Sequence, residues 1–502
     1  MRRLTKFIDK LHTPKWLFFL LCAVLVLRIP SFFEPYSYGD EMIYLTLGEA
    51  IRRGVPLYKG VYDNKPPLLY IIAAISGSLF WFKAILAIWH LITIFIFWKL
   101  TELIFEKNKK AQIVATIIFA VLTTIPTLEG NIANAEIFMI GPTILAFLIL
   151  LSKNLNPKKI FLGGMLFSLA TLFKVPAALE IGAIMFLWFI ALKNYDRKNL
   201  TGLIKNTLYL LIGFATPIIL AFLLYFLRGA LNEYVVAAFL QNLGYLSSWR
   251  PGDVQKPFLI KNLPFILRAS VVAAGLGIVA WKRKKLSSPF LFSCVWLLIS
   301  LFAVTLSERP YPHYMLQAIP SISLLLSILF TRENREQTLA IIPLTIAFIV
   351  PVVFKFWYYP TFPYYLRFAK FASGQITRVE YLLTFGSHVP RNYKIADFVI
   401  ASTKPNDKIF VWGESSPIYA LTKRFPPGKY VADYHIKDFS TPVETLRIIS
   451  SDEPEFIIIL PEASDFPQLT SYVRKNYGLV ENIEGAEVWK LLSSRVRALL
   501  SP

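Results

Sequence analysis

The sequence predicts a polytopic α-helical membrane protein with about eleven transmembrane helices, juxtamembrane helices in the first outer loop, and a small C-terminal α/β domain outside the membrane. Three observations predict it. Of 502 residues, 55% are apolar and the mean hydropathy is +0.52, well above the level of a soluble domain of this size. The apolar residues gather into runs of about 17 to 25, long enough for a helix to cross roughly 30 Å of hydrocarbon. The runs lack the alternating strand pattern of an outer-membrane barrel.

The runs fall at about residues 16–33, 84–105, 111–126, 136–152, 160–176, 177–192, 203–227, 258–281, 288–306, 314–331 and 337–356. The first follows a basic segment but has no small-residue cleavage site, because Leu27, Arg28, Ile29, Pro30 and the aromatics beyond them fit poorly, so it reads as a retained helix. A twelfth stretch, 68–82, decides the orientation of everything after it. If it does not cross, Lys107, Lys109, Lys110, Lys153, Lys158, Lys159, Lys193, Arg197, Lys198, the basic residues of 282–285, Arg332 and Arg335 all share the side of the basic N-terminus, as the positive-inside rule asks. The stretch is therefore expected to be juxtamembrane or re-entrant, with the N-terminus cytoplasmic, the C-terminus extracytoplasmic, and the long loops at 34–83, 126–136, 228–257 and 307–313 facing outward. The expected location is the plasma (inner) membrane.

Composition changes after about residue 357, which divides the chain into an expected membrane domain, 1–356, and an extracytoplasmic α/β domain, 357–502. In the second, 392–404 and 441–451 read as amphipathic helices and 408–412, 455–460 and 487–491 as short strands. The net charge of +21 sits between apolar runs and forms no single stripe, so nucleic acid is not an expected partner. Cys22 and Cys294 each lie in an apolar run and imply neither a disulfide framework nor a zinc site.

Charged residues at the outer ends of the helices carry the candidate chemistry. The first outer loop holds Asp40 and Glu41 just past a membrane helix, where partial desolvation raises a carboxyl toward the range of a general base; a solvated loop charge or a helix cap is the rival reading. It continues through Tyr62, Asp63, Asn64, Lys65, Pro66 and Pro67. The two prolines favour an extended entry at Lys65, whose ammonium either snorkels to the interface or meets a lipid phosphate. In the second outer loop Asn134 precedes Glu136, which opens a helix; it reads as a dipole-stabilised carboxylate, or as a partner of Asp40 in binding a divalent cation or handling an acceptor hydroxyl. Lys174 stands at the outer end of an apolar hairpin, and Arg309, His313 and Tyr314 lie in the 307–313 loop and at the helix after it. Arg309 can grip a phosphate in two places, while His313 reads either as a donor or as a structural residue.

No Walker A sequence, dinucleotide fingerprint, His-Glu-x-x-His, Gly-x-Ser-x-Gly or Asp-x-Asp is present, so chemistry with a soluble nucleotide cofactor has no support.

At these residues the sequence resembles the polytopic glycosyltransferases of the C-type fold, in particular the lipid A aminoarabinose transferases and the protein O-mannosyltransferases. The resemblance rests on the Asp40-Glu41 pair after the first helix, the Lys65-Pro-Pro-Leu-Leu-Tyr70 segment, Glu136 opening the fourth helix, Lys174 in the fifth, and Arg309 with His313-Tyr314 before a late helix. It spans about residues 15–330. It implies a polyprenyl-phosphate sugar donor, membrane lipids as surroundings, and an extracytoplasmic lipid, glycan or protein acceptor. It further implies Asp40 as the catalytic base with Glu41 beside it, and Lys65 on the donor phosphate; by their own chemistry Lys174, Arg309 and His313 are candidates for further phosphate contacts. Tyr62, Asp63, Asn134 and Tyr314 are additional candidates from the same segments. The chain departs from those branches in carrying Glu136 where Asp is common, and in its C-terminal domain, so the acceptor does not transfer. The main rival from another class is a transporter or a flippase of lipid-linked glycans, whose permeation path is also lined by charged helix ends. Transporters usually show paired repeats and broken helices at the midplane; here the charges cluster at one face.

Overall fold

The apolar runs become helices, and where they start and stop follows local chemistry. The computed structural model describes residues 13–241, 257–307, 309–331, 333–414 and 416–500. Much of the predicted outer loop at 228–257 therefore lies outside the described residues, as does the basic segment before residue 13 and Arg332. Among the described residues six helices are long and apolar enough to cross a membrane: Lys15–Phe33, Leu79–Phe105, Arg197–Leu227, Phe258–Lys285, Ser288–Thr305 and Arg335–Val353. Ala135–Leu150, Val175–Ile190 and Ile319–Thr331 are shorter apolar helices within three other predicted runs. Lys109–Leu122 and Pro157–Phe173 fill the remaining two. The chain is thus a polytopic helical membrane protein.

Residues 68–82 do not form one helix. The helix Leu68–Ser76 ends at Gly77, whose φ of 65° is the left-handed cap that glycine adopts without strain, and Ser78 caps the next helix by accepting from the Trp81 N–H. That next helix, Leu79–Phe105, therefore begins five residues before the predicted start at 84. Nine residues rise only about 13 Å, so Leu68–Ser76 is too short to cross. The predicted 314–331 run is also divided, into a 3-10 turn Pro312–Gln317 and the helix Ile319–Thr331.

Membrane helices pack closely where small residues meet. A Cβ at Gly164 would lie 2.1 Å from the Leu210 carbonyl oxygen and one at Gly213 2.1 Å from that of Phe161, so glycine alone permits the crossing of Pro157–Phe173 with Arg197–Leu227.

The C-terminal region is α/β, with sheet order β1-β2-β4-β3. Strand β1 (Ile409–Trp412) pairs parallel with β2 (Phe456–Ile459), and β2 pairs antiparallel with β4 (Ala486–Leu491). Strand β3 (Tyr477–Ile483) forms a hairpin with β4 through Glu484 and Gly485, both at positive φ, the turn geometry whose twist matches paired strands. The sheet buries both faces: Ile409, Val411 and Ile458 belong to the main apolar core with Ile395 and Val399, and Phe410, Trp412 and Ile457 to a second core with Leu469 and Val473. The predicted helices and strands of this region are present, and β3 is an addition. It escapes prediction because only Tyr477 of its seven residues is buried, leaving no apolar alternation to read.

This region is tied to the segment between the first two membrane helices. The Tyr62 N–H donates to the Lys429 carbonyl at 2.9 Å, Ser416 Oγ to the Gly39 carbonyl at 3.2 Å, and the Tyr36 N–H to Tyr393 Oη at 3.1 Å. Helix Thr361–Ala372 leans on the end of the first membrane helix through Phe368 against Phe33, and on the Pro126–Leu128 turn through Thr361 against Thr127.

Candidate functional site: a two-walled cavity

Helix Gly39–Arg52 opens with Asp40 and Glu41 in its first turn, where the positive end of the helix favours them. Successive residues on a helix point about 100° apart, and the two carboxylates accordingly meet different walls. Asp40 faces a cavity of about 1020 Å³. It accepts from Tyr44 Oη at 2.8 Å, one helical turn on, and its other neighbour is Lys65 Nζ at 3.6 Å. Its side chain keeps 30% exposure.

Lys65 is held from its backbone. Its N–H donates to Tyr70 Oη at 3.1 Å and its carbonyl accepts from Tyr58 Oη at 2.8 Å, while Pro66 and Pro67 set the direction of the chain. Its ammonium lies 3.7 Å from Asp63. Asp63 is buried, and accepts from Tyr70 Oη and from the Asn64 N–H, each at 2.8 Å, with His435 Nε2 at 3.4 Å. Burial alone would raise its carboxyl, but the Lys65 ammonium and the His435 contact outweigh it and hold Asp63 well below the usual carboxylate range. Asp63 therefore stays ionised and orients Lys65.

Glu41 turns away from the cavity. Its carboxylate accepts from the Ala133 N–H at 2.6 Å and meets Lys83 Nζ at 2.7 Å; Lys83 also reaches Glu34 at 2.8 Å and the Asn131 carbonyl at 2.9 Å. Glu34 accepts in addition from Tyr364 Oη and Asn131 Nδ2. Glu41, expected beside the base, does not line the cavity; its contacts join the segment that carries Asp40 to the one that carries Asn131 and Ala133.

Opposite Asp40, Glu136 at the start of helix Ala135–Leu150 forms an ion pair with Lys174, and Glu136 Oε1 lies 3.6 Å from His313 Nε2. His313 Nδ1 bonds Glu129, whose other oxygen accepts from Tyr38 Oη at 3.1 Å. Lys174 sits 3.6 Å over the Tyr314 ring, a cation held on an aromatic face. Burial disfavours the charged form of His313, but Glu136 and Glu129 outweigh it and raise its pKa.

The cavity brings together the predicted Asp40, Lys65, Lys174, Arg309, His313 and Tyr314. Glu136 stands behind Lys174, Asp63 behind Lys65, and neither lines the space. Tyr62 faces the C-terminal region, bonding Gln241 and packing edge-on to Tyr430 and His435. Asn134 is buried at the start of the Ala135–Leu150 helix without a capping bond. The cavity has a second wall, which sequence reasoning missed: Trp357, Tyr359, Arg367, Glu414, Asp433 and Tyr434 come from the region after residue 356. A third part is apolar, with Val175, Leu179, Phe239, Ala303 and Val304. Among the described residues no three His, Cys, Asp or Glu side chains are arranged to share a metal ion. Asp40 and Glu136 each face an ammonium instead.

Two further residues had a sequence signal that went unread. Lys83 is a lone cation inside an apolar run, a functional flag in any membrane helix, and Glu129 stands five residues from Asn134 in the segment that supplied Glu136.

The polytopic helical body and the C-terminal α/β region that lines the cavity share their overall fold with solved glycosyltransferases of the C-type fold. The lipid A aminoarabinose transferase ArnT from Cupriavidus metallidurans, solved bound to undecaprenyl phosphate, superposes with a TM-score of 0.55 at 11% identity, covering 95% of this chain and 98% of its own. The same protein in its apo state gives 0.51 at 11% identity, covering 97% and 99%. The archaeal oligosaccharyltransferase AglB from Archaeoglobus fulgidus, in complex with an inhibitory peptide and a dolichol-phosphate, gives 0.47 at 14% identity, covering 97% of this chain and 75% of its own. No family model matches the sequence, and no curated protein matches it at the sequence level.

Proposed function

We propose that this chain is a glycosyltransferase that moves a sugar from a polyprenyl-phosphate carrier to an acceptor hydroxyl outside the cytoplasm, with Asp40 as general base. The observation that carries the reading is the position of Asp40, a partly exposed carboxylate on the wall of a cavity that also presents Lys65, Lys174 and Arg309 and runs into an apolar section. A sugar phosphate brings its own leaving group, so the protein needs a base for the acceptor and cations for the departing phosphate. Asp40 takes the proton of the acceptor hydroxyl while that oxygen bonds the anomeric carbon; the carbon–oxygen bond to phosphate breaks, and the phosphate leaves with the electron pair. Attack opposite the leaving group inverts the anomeric centre. Lys65, oriented by Asp63, together with Lys174 and Arg309, stabilises the charge gathering on the phosphate. The apolar section suits a polyprenyl chain, and a structural neighbour bound to undecaprenyl phosphate supports that carrier class.

The same reading divides the chain at about residue 356. The region beyond lies outside the membrane, in the plasma (inner) membrane topology with a cytoplasmic N-terminus, and its wall of Trp357, Tyr434 and Asp433 receives the acceptor, a lipid, glycan or protein.

The test is transfer itself. Purified protein in proteoliposomes, supplied with polyprenyl-phosphate sugars and cell-envelope acceptor pools, is expected to form a glycosylated product detectable by mass spectrometry. Movement of the lipid-linked sugar between leaflets with no product across the donor panel would instead establish the flippase reading.

A further inference from the structure

Glu129 takes no part in the reaction proposed above, yet both its backbone and its side chain are constrained. It adopts φ 57° and ψ 32°, the left-handed conformation uncommon for a residue with a side chain, and such residues collect at functional sites. Its carboxylate is fully buried and used at both oxygens, one by Tyr38 Oη at 3.1 Å and the other by His313 Nδ1.

The consequence falls on His313. Its Nδ1 meets Glu129, and its Nε2 faces Glu136 at 3.6 Å. A neutral imidazole has one N–H and one lone pair, so a neutral ring here would turn a lone pair toward one of two carboxylates, whereas the doubly protonated ring donates to Glu129 and sets its second N–H within ion-pair distance of Glu136. The ring cannot swing away, because Tyr311 stacks on it with centroids 5.5 Å apart and Tyr314 meets it edge-on at 4.8 Å. The resulting order is layered. His313 and Lys174 line the cavity, and the carboxylates paired with them, Glu129 and Glu136, lie behind and do not.

We propose that Glu129 is a positioning residue that fixes His313 as a cation on the cavity wall, where His313 and Lys174 form the phosphate subsite for the lipid-linked donor. This rests on the reading of the cavity as a polyprenyl-phosphate site. It makes the left-handed turn at Glu129 a device for delivering a buried negative charge to the rear of the imidazole.

The experiment measures the affinity of the full-length protein for undecaprenyl phosphate and for uncharged undecaprenol by native mass spectrometry. Glu129→Gln keeps the shape and removes the charge; it is expected to weaken undecaprenyl phosphate about tenfold and leave undecaprenol unchanged. Glu129→Asp, which restores the charge and tolerates the left-handed backbone, is expected to recover most of that loss. The double variant with His313→Gln is expected to bind no more weakly than His313→Gln alone, because both act through one cation. Equal losses for both lipids, an unchanged phosphate affinity, or additive losses in the double variant would each overturn the proposal. If Glu129→Gln does not fold, His313→Gln carries the test: it must lose phosphate affinity while keeping undecaprenol, and an unchanged phosphate affinity overturns the proposal. A parent protein that does not distinguish undecaprenyl phosphate from undecaprenol removes the carrier reading itself, a result distinct from a parent that discriminates and a Glu129 variant that does so equally well.

Discussion

Asp40 and Glu41 are neighbours in sequence and belong to two unlike clusters. Around Glu41, Lys83 is completely enclosed and touches two carboxylates and a backbone carbonyl at 2.7 to 2.9 Å. Around Asp40, Lys65 stands off at 3.6 Å, and both side chains keep a fifth to a third of their surface open to the cavity. The Lys83 ammonium is enclosed by its partners, and neither it nor Glu41 reaches the cavity, although Glu34 does. Asp40 and Lys65 both line it. Charge pairs that are closed on all sides hold loops together, whereas a pair held slightly apart by its backbone and a second carboxylate leaves a place for a substrate.

Four measurements would break or sharpen that contrast. The largest effect is expected for Asp40→Asn, which keeps size and hydrogen bonding but cannot accept a proton near neutral pH. Turnover should fall by about 10² to 10⁴ with donor binding retained, while Glu41→Gln keeps most activity. Near-parental product formation by Asp40→Asn would remove the distinction between the two sites.

Next comes Lys83→Met. Removing the one cation between Glu34 and Glu41 leaves buried carboxylates without compensation, and such losses cost about 3 to 5 kcal/mol. Thermal unfolding in detergent should shift down by many degrees. A variant as stable as the parent would mean that the knot is not structural.

A smaller change is expected for Lys65→Ala, which loses one phosphate contact present in both the bound donor and the transition state. Donor affinity should drop about tenfold, with a smaller effect on turnover at saturating donor. A loss confined to turnover would place Lys65 on the acceptor instead.

The smallest effect concerns pH. Burial, opposed by Lys83 and reinforced by Glu34, pushes the Glu41 carboxyl up to about 7. Between the ordinary carboxyl value near 4.5 and about 7, the folded protein holds a proton that the unfolded chain has released, so this group's contribution to stability declines as pH rises through that window. The melting temperature should therefore be somewhat higher at pH 5 than at pH 7.5, and Glu41→Gln should flatten the slope. A slope unchanged in Glu41→Gln would assign it to other groups.

Much of the site could be read before folding. Asp40, Lys65, Lys174, Arg309 and His313 are charges or potential charges beside apolar runs, where desolvation makes them expensive and therefore informative, and they do converge. The residues that orient them were harder to see. Lys83 pairs with Glu34 across 49 positions of sequence, and Glu129 reaches His313 across 184. His435 comes from a seven-residue helix, Asp433–Phe439, that also presents Asp433 and Tyr434 to the cavity. A short helix of mixed polarity carries no periodic signal of its own.

What the sequence determined by itself is the solvent of the protein and the residues that resist that solvent. Apolar runs of fixed length and the loop charges between them follow from the cost of exposing polar groups to hydrocarbon, which is paid locally and is therefore visible locally. Tertiary structure alone decided that Asp40 opens onto a cavity while Glu41, about 100° around the same helix, closes a knot, and that the last third of the chain supplies a wall of the site. Those outcomes depend on which distant surfaces meet. The partner that decides whether a charge is buried, paired or left open lies tens to hundreds of residues away, and only the packed fold brings it near.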